Sequence, residues 1–235
     1  MKVIGKDIGT ALDAIFDTLA ERVRTEAGCE LQVEAFEAGA FSSVDWDEGV
    51  CLISLHNGVP THALPHVFGV ALQHVRQHLD RYPTIVAGDR EAYGGELVRI
   101  TLRELLMAPE AEERLAPLQL DTAWETEQRH AGLKDLLREA PREWDEPEEP
   151  GGAFASLQYA RFALEHPPKM WDALKGPFQE QLPRSAERGE HIASIVRRHG
   201  WADADACLAA LTEVRDLLGI APYARIEDLR TETVR

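Results

Sequence analysis

The sequence has too few cysteines for a disulfide framework and lacks the closely paired cysteines that many zinc sites use. Its three cysteines, Cys29, Cys51 and Cys207, are odd in number and widely spaced, without a C-x-x-C motif. This usage is typical of a reducing compartment. Burial as free thiols is their simplest role, because free cysteine is among the most buried residue types.

Long apolar runs are lacking as well. No stretch approaches the roughly 20 apolar residues that a membrane-spanning helix requires. The N-terminal segment carries acidic residues among its apolar ones and has no signal-peptide cleavage pattern. We therefore expect no membrane partner and a cytoplasmic location.

Positive charge is scarce relative to negative charge. Lysine and arginine number 25 against 41 aspartates and glutamates, so the formal net charge is -16. Such a field repels nucleic-acid phosphates and anionic membrane surfaces. We expect no nucleic-acid partner, whereas a basic peptide, a protein or a small molecule would fit this charge.

The common motifs of nucleophilic and phosphate chemistry are missing too. No G-x-S-x-G elbow and no glycine-rich phosphate loop of the Walker type occurs. The acidic run at 143–149 lacks the alternating spacing and central glycine of an EF-hand calcium loop. A solvated linker is the simpler interpretation of that run.

What the sequence does contain is apolar periodicity, which predicts a helix-dominated α+β fold. Period-two or compact apolar runs predict strands at 31–36 and 50–55, with an acidic turn at 45–49 before the second strand. Pro109 is expected to end the third helix. No further strands are expected. The predicted helices cover residues 6–27, 63–81, 89–107, 122–139, 153–165, 168–181, 185–199 and 203–218. In the helix at 63–81, Phe68, Ala71, Val75 and Leu79 are expected to face the core.

A proline-rich and strongly acidic stretch, residues 141–152, is the best candidate for a domain boundary. It would separate residues 1–140, which contain the predicted strands, from a purely helical C-terminal region at 153–235. With 235 residues, of which 44% are hydrophobic, either part can bury a core of its own.

Histidines provide the most informative cluster. Five of the nine, His56, His62, His66, His74 and His78, fall within 23 residues. His74 and His78 are four residues apart on a predicted helix and share a face, a geometry that can chelate a divalent metal. His66 would lie about 12 Å from His74 along the helix axis and cannot join them. The structural alternative is a packed helix whose histidines are satisfied by hydrogen bonds.

The strand Val50–Leu55 followed by the helical segment Leu64–Val75 resembles the edge strand and active-site helix of small zincin-like metallopeptidase domains. On that pattern, Val70 occupies the place of the first zinc ligand and Ala71 that of the general base. His74 keeps the place of the second ligand. The resemblance implies a third ligand from the next helix, with Glu91, Glu96 and Glu104 as candidates.

The likeness covers about residues 1–120 and implies a zincin-like core of a helix, a small sheet and two central helices, followed by a C-terminal helical layer. Valine and alanine can neither bind zinc nor exchange a proton. The leading hypothesis is therefore a catalytically inactive zincin-like protein without a cofactor, which binds a peptide or protein along its sheet edge.

Two alternatives stay open. One is a zinc-dependent hydrolase that uses His74, His78 and a glutamate of the next helix, for which Glu96 is our choice. The other is a purely structural or regulatory helical protein in which the likeness to zincins has no functional meaning.

Overall fold

A computed structural model describes residues 1–37, 39–90, 94–147 and 149–235, and it confirms the helix-dominated α+β fold class. None of the described helices is long and apolar enough to cross a membrane. The helices are α1 (Asp13–Arg22), α2 (Leu64–Leu79), α3 (Gly95–Leu115), α4 (Ala123–Glu139), α5 (Pro150–Glu165), α6 (Pro168–Gln181), α7 (Pro183–His199) and α8 (Ala204–Leu218). The strands are β1 (Lys2–Val3), β2 (Lys6–Asp7), β3 (Glu30–Phe36), β4 (Ser42–Asp47), β5 (Val50–His56), β6 (Thr84–Ala87), β7 (Ala224–Asp228) and β8 (Thr233–Val234).

The N-terminal helix is shorter than predicted. Residues 6–12 are not helical, because β1 and β2 form a small antiparallel hairpin and α1 begins at Asp13. Gly5 and Gly9 adopt φ angles of 79° and 73°, a conformation that glycine reaches without a steric penalty. The helix then ends in a π-helical turn, Val23–Ala27.

The prediction of two strands was incomplete. In the first sheet the strand order is β3-β5-β4, with β5 parallel to β3 and antiparallel to β4. The strand at 50–55, which the resemblance places at the sheet edge, is therefore the central one, and that expectation was wrong. The sequence predicted a turn over the second half of β4, where acidic residues alternate with Trp46. A second sheet, of order β6-β7-β8, was missed because its strands are only two to five residues long.

Helix α3 passes through Pro109, which was expected to end it. Proline removes one backbone hydrogen bond and crowds the preceding turn. Here the residues on both sides of it are buried, among them Leu106, Met107 and Ala111. Their burial stabilises the helix across the proline, so the expectation that Pro109 ends the helix was wrong.

The chain divides into two compact units at positions other than the predicted boundary. The first unit comprises residues 1–80 and 111–127, and the second comprises 81–110 and 128–235. The segment 141–152 lies inside the second unit, where Asp145 accepts a hydrogen bond from the Ser185 amide at 2.9 Å. Ser185 Oγ also donates to the Trp144 carbonyl at 2.8 Å. These bonds fasten the acidic stretch to the start of α7; Glu148 lies outside the described residues.

The second unit contains the predicted C-terminal helices, with bounds close to those expected. Its α5 and α7 approach closely at Gly189, where a Cβ atom would come within 2.6 Å of the Tyr159 ring. Tyr159 in turn packs edge-to-face on Trp171 and Phe178, with ring centroids 4.9 and 5.1 Å apart. Edge-to-face contacts of this kind add specific geometry to the apolar core.

In the first unit, α2 packs on the sheet through its predicted apolar face. Phe68, Ala71, Val75 and Leu79 are all buried, and Phe68 has no exposed surface. Its ring lies 6.0 Å from that of Phe16 in α1. The prediction of one helix with these four residues in the core is confirmed.

Replacing Phe68 by alanine should lower the free energy of unfolding by about 3 to 5 kcal/mol, because it leaves a cavity in this core. Chemical denaturation followed by circular dichroism measures the loss. Phe36→Ala is the matched control, since Phe36 is half-buried in the same unit, and its loss should be much smaller. A loss below about 1 kcal/mol in Phe68→Ala would contradict this packing.

Candidate functional site

The candidate site is built on α2, a helix that is buried on nearly every side. Thirteen of its sixteen residues are buried. The apolar ones belong to the core with the sheet, while His66, Gln73, His74 and Gln77 form a buried polar row. Buried polar groups are costly unless they are hydrogen-bonded. The hydrogen-bond partners of these four side chains therefore indicate whether the side chains stabilise the fold or are available for catalysis or metal binding.

Two residues that the sequence singled out, Val70 and Ala71, lie among these buried residues. Val70 is 8% exposed and Ala71 is fully buried, and both belong to the core of the first unit. Neither side chain can coordinate a metal or accept a proton. A histidine or glutamate placed there would add a polar group to an apolar environment.

His74 is also buried, at 9% exposure, and its Nδ1 lies 2.8 Å from Oε1 of Gln77. Because the amide oxygen can only accept, Nδ1 donates in this contact. Two residues away, Arg76 Nε donates to Gln73 Oε1 at 2.6 Å and Arg76 Nη1 to Asp80 at 2.8 Å. The middle of the polar row is thus hydrogen-bonded along the helix itself.

His78 is half-buried one turn further and stacks on Trp46 of β4, with ring centroids 4.2 Å apart. The glutamates predicted to complete a metal site with His74 and His78 were Glu91, Glu96 and Glu104. Glu96 is exposed on α3 in the second unit, and Glu104 of the same unit accepts a hydrogen bond from Arg103 at 2.8 Å. Glu91 lies outside the described residues.

Within residues 1–37, 39–90, 94–147 and 149–235, no three His, Cys, Asp or Glu side chains form a group that could hold a metal ion. His74 and His78 lie four residues apart on α2, and each contacts a different side chain, Gln77 and Trp46. All three cysteines are free thiols, and Cys51 and Cys207 are buried.

The first residue of the polar row, His66, has a role that the sequence did not indicate. Its Nδ1 lies 2.8 Å from Oε2 of Glu125, and its Nε2 lies 2.9 Å from Oε2 of Glu112. The imidazole is 3% exposed and the Glu125 carboxylate 8%. Glu112 and Glu125 follow 46 and 59 residues later, and the expected end of α3 at Pro109 left Glu112 out of any predicted helix. We call these three residues the His66 centre.

The charge of the His66 centre is set by two opposing effects. Burial alone would lower the pKa of His66, but hydrogen bonds to Glu112 and Glu125, together with their charges, raise it to about 9. At neutral pH the ring is thus an imidazolium that donates to both carboxylates. It ties the start of α2 to the last turns of α3 and the first turn of α4.

A pocket of about 460 Å³ adjoins the His66 centre within the first unit. Its lining combines His66 and Glu112 with the apolar side chains of Leu115 and Leu120. Both ring nitrogens of His66 already contact carboxylates, so the ring acts in these contacts as a structural cation that positions Glu112.

Comparison of the chain with protein-family models, with curated proteins and with solved structures gave no match. The residues and contacts of the chain itself are therefore the basis for inferring its function.

We expect the stabilisation from the His66 centre to be pH-dependent on the basic side. Because the pKa of His66 rises from 6.5 to about 9 on folding, this stabilisation is fully present below pH 6.5 and is lost as the pH rises through 9. NMR titration of the His66 ring protons measures the pKa directly. Glu112→Gln should lower it, because one of the two carboxylate partners is removed.

The exposed His62 provides the control for this experiment. His62→Gln should leave the pH dependence of unfolding unchanged, whereas His66→Gln should remove the part between pH 6.5 and 9. An unaltered His66 titration in Glu112→Gln would contradict the assignment.

Proposed function

We propose that this chain is a catalytically inactive, zincin-like protein of the cytoplasm that binds an extended peptide segment of a partner protein and needs no cofactor. The observation that carries the proposal is the open edge of β4, next to a helix in which Val70 and Ala71 stand at the places of the first zinc ligand and the general base of the zincin pattern. A groove that holds an extended chain against a sheet edge can keep that role without a metal.

The geometry of β4 supports strand addition. Within the described residues, β4 pairs with β5 on one side and no strand pairs with its other side. The Phe41 carbonyl accepts from the His56 amide at 2.9 Å. Since hydrogen-bonded pairs alternate in an antiparallel ladder, the main-chain groups of Ser42, Val44 and Trp46 face away from β5. These groups offer donors and acceptors to an added strand.

The two faces of β4 differ in a way that suits a peptide site. Val44 and Trp46 are half-buried against the core, and Trp46 stacks on His78 of α2. Asp45 and Asp47 are exposed on the opposite face. An added strand would therefore meet carboxylates on one of its faces.

The net charge of the first unit indicates which peptides the β4 edge would bind. The two segments of the first unit contain seventeen acidic residues and six basic ones. A field of this sign attracts basic partners and repels acidic ones, with the effect weakening as salt increases. The proposed partner is thus an extended segment that carries lysine or arginine.

We expect no chelator-sensitive peptidase activity, because Ala71 cannot act as a general base and Val70 cannot bind zinc. A positioned general base contributes typically about 10² to 10⁴ in rate. The measurement is hydrolysis of a general peptide substrate with and without chelator, beside calorimetric zinc titration of the untagged wild type and of His74→Ala. Zinc binding tighter than about micromolar that His74→Ala abolishes, with chelator-sensitive cleavage, would favour the hydrolase that uses His74, His78 and Glu96.

We also expect the chain to bind a fluorescently labelled, alternating Lys-Val peptide more tightly than the matching Glu-Val peptide. Ser42→Pro removes an outward amide at the first residue of β4, where proline is tolerated. It should weaken binding by about tenfold or more through the lost hydrogen bond and the altered edge. Fluorescence anisotropy measures both affinities.

Ala35→Pro is the matched control on the opposite edge of the same sheet. The Glu30 amide donates to Gly49 next to β5, so by alternation the Ala35 amide faces away from β5. Ala35→Pro should leave the affinity for the Lys-Val peptide unchanged. Equal affinity for the two peptides, or equal loss in the two proline variants, would contradict binding at the β4 edge.

A further inference from the structure

We propose that the second unit contains a phosphate-binding pocket formed by Arg90, Arg215, Arg225 and Arg235. This site lies in a different unit from the β4 edge and does not depend on the proposed peptide binding. It is a local concentration of positive charge in a chain whose formal net charge is -16.

The pocket forms where the end of β6, the last turn of α8, the start of β7 and residue 235 meet. Its volume is about 460 Å³, and its lining comprises the four arginines together with Asp89, Ala221 and Pro222. Strands β6 and β7 pair in antiparallel register, with Val86 opposite Arg225. The pairing continues past the strands, since the Arg90 amide donates to the Pro222 carbonyl at 2.8 Å.

The main chain around the pocket is closely packed and hydrogen-bonded. A Cβ atom at Gly88 would lie 2.3 Å from the Pro222 carbonyl oxygen, so only glycine allows this approach without a shift. On the other side of β7, Arg235 exchanges two hydrogen bonds with Ile226, at 2.8 and 3.0 Å. The backbones that carry Arg90, Arg225 and Arg235 are thus fixed around the pocket, as a preformed anion site requires.

Arg215 is the residue that points to a ligand. It is 8% exposed, and its Nε and Nη2 donate to Asp216 Oδ1 at 2.8 and 2.6 Å. Its remaining nitrogen, Nη1, is buried and makes no hydrogen bond within the described part of the chain. A buried charged donor without an acceptor is destabilising. A small rotation of the guanidinium toward an oxyanion in the pocket that Arg215 lines would supply one.

The local charges leave room for an anion. Arg225 pairs with Asp89 at 3.0 Å, and that aspartate is 85% exposed, so water screens the pair strongly. Arg215 pairs with Asp216, which is 58% exposed. The two carboxylates that pair with Arg215 and Arg225 are therefore both largely solvated.

Phosphate is the anion that this arrangement suits best. Guanidinium groups match its oxygens with paired N–H donors, and a phosphate monoester can accept from several arginines at once. The acidic field of the whole chain disfavours anions at long range. An anion that binds here must therefore gain its affinity from short-range contacts, which favours a dianion over a single carboxylate.

The test is calorimetric titration of the full chain with inorganic phosphate, at ionic strength held constant with chloride. We expect saturable binding at one site, and about tenfold or greater weakening in Arg225→Gln and in Arg90→Gln. Arg215→Gln should weaken binding as well. If that buried substitution prevents folding, the two more exposed variants still decide the outcome.

Arg138→Gln is the matched control, because Arg138 is exposed on α4 of the same unit and pairs with Asp135. It should change phosphate affinity by less than about twofold. Acetate tests a carboxylate in place of phosphate, and N-acetyl-O-phosphoserine methylamide tests a phosphorylated residue. Tighter binding of the phosphoserine compound would identify a protein-borne phosphate, and tighter binding of inorganic phosphate a free one.

Three results would overturn the proposal. They are the absence of saturable phosphate binding by the wild type, equal affinity for acetate and phosphate, and loss of binding in Arg138→Gln as large as in the pocket variants.

Discussion

The burial of α2 on nearly every side is the constraint on which the first unit depends. A helix in this position cannot leave its polar side chains to water, so each needs a partner within the protein. His66 has two carboxylates, His74 has Gln77, and Gln73 has Arg76. Residues that resemble the remains of a metal centre in the sequence thus have partners that a packed helix requires.

The burial of α2 also explains why apolar residues stand at positions 70 and 71. Val70 and Ala71 contribute to the core of the unit, where a zinc ligand and a general base would have to be desolvated and then compensated by a bound ion. Without that ion, apolar residues are the more stable choice.

The parts of the fold that could be predicted are those that leave a clear local pattern in the sequence. Helix α6 begins at Pro168 and ends at Gln181, as expected, because proline marks its start and another proline follows at 183. Strand β4 could not be recognised, since Val44 and Trp46 are its only apolar residues. The spacing of His74 and His78 indicated a shared helical face, but the partners of His66 depend on tertiary packing that no local pattern records.

The division of the chain into units has a consequence for its biosynthesis. The first unit takes residues from both sides of the segment 81–110, and its core includes Leu115. A ribosome therefore has to release about fifty further residues after α2 before this core has all its parts, which takes several seconds at about 5 to 20 residues per second. During that interval the apolar face of α2 lacks part of its final cover. The nascent chain would then be a natural client for chaperones that hold exposed apolar segments.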